Sequence, residues 1–166
     1  MIGWAIFGCL CFWSFNKFCV TFQKYGDNIE KKCEFVCYFT GTLHAGIATC
    51  MAYYSMYYGC EGWEKGVTPL NDFNCMSNPR DIHYKIVLFT AGYLVYDFIL
   101  YYYLVGASGT FATQTFIHHF LGASGFYITI YTGGVPTVYT AISLFVESSN
   151  FFANARWFTF AFNVKN

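Results

Sequence analysis

The stretch from Thr113 to Gly125 (Thr-Gln-Thr-Phe-Ile-His-His-Phe-Leu-Gly-Ala-Ser-Gly) sets two adjacent imidazoles, His118 and His119, inside an otherwise apolar run. Histidine is the side chain whose ordinary pKa lets it take or give a proton near neutrality. In an apolar helix such a group is costly unless it meets a partner or a polar cavity. Further ionisable residues lie within or beside apolar runs: His44 in Gly-Thr-Leu-His-Ala-Gly, Asp97 in Gly-Tyr-Leu-Val-Tyr-Asp-Phe, and Glu147 after Phe145-Val146, with Arg156 close behind. Successive helical residues point about 100° apart, so His118 and His119 cannot share a face. One is expected to face the interior, the other a neighbouring helix or lipid headgroups.

Three kinds of chemistry suit this set. In the plainest, the inward histidine bonds Asp97 or a hydroxyl and fixes helix packing. In a second, His118 or His119 serves acyl transfer as nucleophile or general base, oriented by Asp97 where the two helices touch. A metal site is the weakest, because the other two histidines are single and distant; no metal and no cofactor is expected. The small residues Gly122-Ala-Ser-Gly125, Gly133 and Gly134 suit close helix packing, or a groove for an acyl chain.

The elements that hold these residues are set by composition. Among 166 residues, 11% are charged and 23% aromatic, against about 25% charged in an ordinary soluble domain. That points to a membrane protein with membrane lipids and other membrane protein subunits as partners. Nine basic and nine acidic residues cancel, which gives nucleic acid no electrostatic footing. Six of the eight cysteines lie in or beside apolar runs, where a thiol acts as a small hydrophobe. Cys60 and Cys75 share a polar loop, and a bridge between them needs an oxidising compartment.

Five apolar runs of spanning character follow one another: Met1 to about Phe22, Phe35 to about Tyr58, Tyr84 to about Val105, the run through the histidine pair to about Thr132, and one to about Val146. A solvated connection, Gln23 to Glu34, separates the first two. Tyr53, Tyr54, Tyr57 and Tyr58 resemble an interfacial belt. Gly106-Ala-Ser-Gly109 is a turn, and Gly133-Gly134 with Pro136 a break or kink. A last piece, Phe151 to Phe162, is too short to cross. The expected fold is all-α, a polytopic transmembrane helix bundle of about five spanning helices and a partial sixth. Its organisation is a first helix and connecting loop over 1–33, then a bundle over 34–166 with an extramembrane loop at 59–83. No basic n-region or cleavage motif opens the chain, so the first helix is read as retained and no presequence is seen.

Leu43-His44-Ala45, Gly92-Tyr-Leu-Val-Tyr-Asp97, His118-His119, Glu147-Ser-Ser-Asn-Phe151 and Asn154-Ala-Arg-Trp157, in that order, resemble the signature positions of the TLC-domain membrane proteins over about Glu34 to Phe162. The resemblance implies helices curved around a lipid-accessible cavity lined by His44, Asp97, His118, His119, Glu147 and Arg156. Ceramide synthases of this family carry a threonine four positions after the first histidine, then a His-Asp pair and a further aspartate. Here Gly122, Phe145-Val146 and Ser149 stand at those places. The chain is thus more similar to the non-synthase branch, and reads as shortened at its C-terminus.

The expected function is a non-catalytic, lipid-binding structural or accessory subunit of a larger membrane complex. The alternatives are a ceramide-synthase-type acyltransferase using His118 or His119 with Asp97, and a stand-alone regulator of phospholipid composition. The resemblance implies the endoplasmic reticulum membrane, with the mitochondrial inner membrane as the alternative for a recruited subunit.

Overall fold

The computed structural model describes residues 29–99 and 110–161, together with Gly3 and Leu10. The described helices are α1 (Ile29–Tyr58), α2 (Phe73–Ser77), α3 (Asp81–Ile99), α4 (Thr110–Thr132), α5 (Gly134–Ser143) and α6 (Ser148–Ala161). Short 3-10 turns lie at Trp63–Lys65 and Leu144–Glu147. The first apolar run, apart from Gly3 and Leu10, and the Gly106–Gly109 turn lie outside the described residues. α1 begins at Ile29, so the charged segment up to Glu34, read from sequence as a connection, forms its first turns.

The described helices do not make the expected polytopic bundle of five spans and a partial sixth. Among them, one is long and apolar enough to cross a bilayer: α1, over Phe35–Tyr58. The others fall short for identifiable reasons. α3 carries Asp81, His83, Lys85 and Asp97 within 19 residues. α4 holds both histidines, Gln114, Ser124 and a series of threonines. α5 and α6 have 10 and 14 residues, about 15 and 21 Å at 1.5 Å per residue, against a hydrocarbon core of about 30 Å. The sequence runs looked longer because their apolar character comes from aromatic residues interleaved with polar ones. Among the described residues, the protein is an all-α fold with one candidate membrane-spanning helix.

Packing starts from α1. Val36, Thr40, His44, Ala48, Ala52 and Ser55 are all buried, and steps of three and four place them on one face. From Ala48 onward this face is made of small side chains, so neighbouring backbones approach closely. α1 packs against α3, α5, α6 and the Leu144–Glu147 turn, while α3 also packs against α4. One apolar cluster joins Val36 and Cys37 to Tyr93, Leu94 and Tyr96. A second joins Ala52 to Ile86, Val87, Ala141 and Leu144. Full burial of a side chain such as Ile86 or Val87 stabilises by about 1.5–3 kcal/mol.

Two local devices set the helix ends. Between α4 and α5, Gly133 and Gly134 have φ of 63° and 61°, a backbone conformation that residues with a Cβ rarely adopt. The Thr137 hydroxyl donates to the Thr129 carbonyl at 2.9 Å across this break. In the 59–83 loop, Cys60 and Cys75 form a disulfide, and Asp72 caps α2 by accepting from the Cys75 amide at 2.8 Å. His83 is fully buried beneath this loop. The Arg80 amide donates to its Nδ1 at 2.9 Å, which places the ring proton on Nε2. A Cβ on Gly59 would lie 2.8 Å from His83 Nε2 and would also meet the Ser55 carbonyl. Glycine is required there for space.

Candidate functional site

The buried face of α1 and the 90–97 stretch of α3 turn a set of polar side chains toward each other. On α3, Thr90, Tyr93 and Asp97 repeat at three- and four-residue steps and are all buried, so they form one stripe. His44 of α1 meets this stripe first. Its Nε2 stands 3.3 Å from the Thr90 hydroxyl, and its ring stacks on Tyr93 at 4.0 Å between centroids and 7° between planes. One turn further on, the Tyr93 hydroxyl bonds the Asp97 carboxyl. α4 supplies the next partner: His119 Nε2 lies 3.6 Å from Asp97 Oδ2, with both side chains 11% exposed.

Asp97 Oδ1 is buried and has no hydrogen-bond partner. A carboxylate oxygen left so loses its water without replacement, a state that costs about 1–3 kcal/mol. Asp97 also belongs to the lining of a cavity of about 170 Å³, together with Cys37, Gly41, His44, Tyr93, His118 and His119. From the opposite side, Glu147, Asn150 and Asn154 complete the wall. Asn150 Nδ2 donates to Glu147 Oε2 at 2.7 Å, which orients the second carboxylate. Among the described residues, no lysine or arginine lines the cavity. Its size, below the ~300–1,000 Å³ typical of drug-sized ligands, suits a small polar group.

Further contacts hold the walls in place. Tyr38 of α1, itself part of the lining, stacks on Trp157 of α6 at 4.3 Å. Gly41 leaves room for two polar atoms: a Cβ there would lie 3.0 Å from the Tyr93 hydroxyl and 3.3 Å from Asn154 Nδ2. At Gly122, a Cβ would come within 2.9 Å of a Leu94 methyl. A threonine at 122 therefore requires Leu94 to move.

The structure thus gathers His44, Asp97, His118, His119 and Glu147 around one cavity. His119 is buried and His118 exposed, although both reach the lining. Arg156 lies outside it, exposed, with its guanidinium 5.6 Å from the Phe160 ring. Phe145 and Val146 are exposed and do not line the cavity. Cys37, Thr90, Tyr93, Asn150 and Asn154 were not named as site residues by sequence reasoning. Helical spacing back from Asp97 points to Tyr93 and Thr90; the asparagines fall within the stretches that carry the family resemblance, which was their one signal. Among the described residues, no three His, Cys, Asp or Glu side chains converge as metal ligands.

Against known proteins, the family model of the TLC domain matches residues 39–165. No individual curated protein and no solved structure matches the chain.

Proposed function

Since this chain belongs to the TLC-domain family, we propose that it is a non-catalytic membrane-associated protein that holds a lipid by its polar headgroup in the Asp97 cavity. In this reading it acts as a structural or accessory subunit of a membrane assembly. The observation that carries the proposal is that Asp97, a residue of the cavity lining, holds a buried Oδ1 with no hydrogen-bond partner. An acceptor so placed is satisfied by a ligand that brings a hydrogen-bond donor. Glu147 and Asn150 add polar atoms to the same wall, so a headgroup carrying hydroxyl or amine donors fits its chemistry. Acyl chains would lie outside, against the apolar surface.

The accessory role is supported by the exposed apolar residues Phe120, Leu121, Tyr127, Ile128 and Tyr131 of α4 and Phe151, Phe152 and Phe160 of α6. Contiguous exposed apolar surface marks contact with lipid or with another protein. Absence of a catalytic function is supported by Phe145 and Val146 at the positions where the synthase resemblance expects His-Asp. Extraction in a mild detergent, native electrophoresis and mass spectrometry of the co-migrating proteins and lipids test the proposal. Co-migration with a defined assembly, with a lipid retained by the wild type and lost in Asp97→Asn, is expected. A lone species with no retained lipid refutes it.

A second reading is favoured by one specific contact, the 3.6 Å Asp97–His119 pair. A carboxylate behind an imidazole can orient it as a general base for acyl transfer. Supplying fatty-acyl-CoA and a sphingoid base to wild type, His118→Ala and His119→Ala decides it. Equal background in all three removes the reading.

A further inference from the structure

A second recess lies at the other end of α1, where the candidate span stops at Tyr58. This groove, of about 730 Å³, runs between the last turn of α1 and the start of α3, and its lining includes Tyr54, Tyr58, Trp63, Arg80, Asp81 and Lys85. Its aromatic wall is continuous: Tyr54 and Tyr58 lie 5.1 Å apart, and Tyr58 meets Trp63 edge-on at 5.0 Å. All three are between 42% and 53% exposed. The opposite wall is charged. Lys85 pairs with Asp81 at 3.8 Å, with both side chains well exposed, a contact that is weak in water and readily exchanged. The Arg80 side chain is also exposed.

We propose that this groove binds the headgroup of a zwitterionic phospholipid, with the phosphodiester on Arg80 and Lys85 and the quaternary ammonium of a phosphocholine against the Tyr54, Tyr58 and Trp63 rings. The charge pattern selects this ligand. Two cations suit a phosphate, but Asp81 between them would repel a purely anionic headgroup. Asp81 and the aromatic faces instead suit a cation. The position agrees, because tyrosine and tryptophan collect at the level of lipid headgroups and this wall begins on the last turns of the candidate span. The walls are also held in advance. The Cys60–Cys75 bridge ties the segment leading into Trp63 to the segment leading into Arg80, and Gly59 packs on His83 beneath. A recess already formed loses less entropy on binding.

The test uses the full chain in an uncharged maltoside detergent, with dihexanoyl phosphatidylcholine, dihexanoyl phosphatidylglycerol and inorganic phosphate as separate probes in titration calorimetry. Saturable binding of the phosphocholine lipid is expected, about tenfold tighter than the phosphatidylglycerol, with no comparable response to phosphate. Arg80→Gln and Trp63→Leu should each weaken it about tenfold, and Phe73→Ser, at an exposed position of α2 outside the groove lining, should leave it unchanged. A photoactivatable phosphocholine lipid on the wild type should label peptides within 54–63 or 79–85. Equal affinity for phosphatidylglycerol, equal response to phosphate, or labelling confined to other peptides overturns the proposal.

Discussion

Replacing Asp97 by asparagine separates a residue kept for its ligand from one kept for the fold. The substitution preserves shape and the acceptor that the Tyr93 hydroxyl uses, and it removes the charge. In the wild type, the carboxylate is buried, its nearest cationic candidate is His119 at 3.6 Å, and Oδ1 has no partner. Burial holds His119 well below its ordinary pKa, in the neutral form, so no full ion pair offsets the desolvation of the carboxylate, and the orphaned oxygen adds about 1–3 kcal/mol against the folded state. Asparagine leaves a polar atom in the orphaned place but removes the buried charge, so Asp97→Asn should stabilise the ligand-free protein by about 1–2 kcal/mol. At about 2–4 °C per kcal/mol for a chain of this size, thermal unfolding in detergent should shift upward by about 2–8 °C. Lipid retained through purification, counted by mass spectrometry, should fall at the same time. A lower unfolding temperature with lipid retention intact refutes the reasoning, because the carboxylate would then be a structural group.

Three other consequences follow from the loop end of the molecule. The Cys60–Cys75 bridge closes a 15-residue separation, for which chain-entropy reasoning gives about 3 kcal/mol; Cys60→Ser/Cys75→Ser should lower the unfolding temperature accordingly, and an unchanged transition would mean that the bridge adds nothing. Gly59→Ala drives a Cβ to 2.8 Å from His83 Nε2 and should cost about 1–3 kcal/mol by overpacking, read as a lower denaturant midpoint, with partial recovery in Gly59→Ala/His83→Ala. Burial holds the His83 imidazole below its ordinary 6.5, with the Arg80 charge acting in the same direction; the folded form binds the proton less readily than the unfolded one, so stability is full above pH 6.5 and falls as pH drops below it. Unfolding curves between pH 7.5 and 5.5 should show that loss in wild type, and a smaller one in His83→Gln.

The helical class was legible because apolar runs separated by glycine and proline signals stand out in the sequence. Gly133-Gly134 does separate two helices, and the polar loop after Tyr58 does carry the cysteines. The number of spans was not legible. Aromatic side chains raise apparent hydrophobicity whether they face lipid, protein or an interface, and nothing in α5 announces that it stops at Ser143. At the cavity, adjacency alone required His118 and His119 to diverge. That Asp97 meets His119 depends on how α3 and α4 pack, which pattern does not encode. Asn150 and Asn154 reach the wall through the fold of the chain between α5 and α6, so only the three-dimensional structure connects them with Asp97.

The disulfide follows the C-terminal end of α1, and the cavity is lined by the first half of that helix, from Cys37 to His44. From Cys37, on the cavity wall, to Tyr58, two residues before the bridge, is 21 residues of helix, about 32 Å, or roughly the thickness of a hydrocarbon core. A disulfide persists where the surroundings oxidise thiols. Where α1 crosses a bilayer with the bridged loop on an oxidising side, the cavity-lining turns from Cys37 to His44 lie toward the other side. In that orientation, a headgroup held at Asp97 would come from the leaflet opposite the one bordering the bridge, and the membrane's transverse asymmetry would decide which lipids the cavity samples.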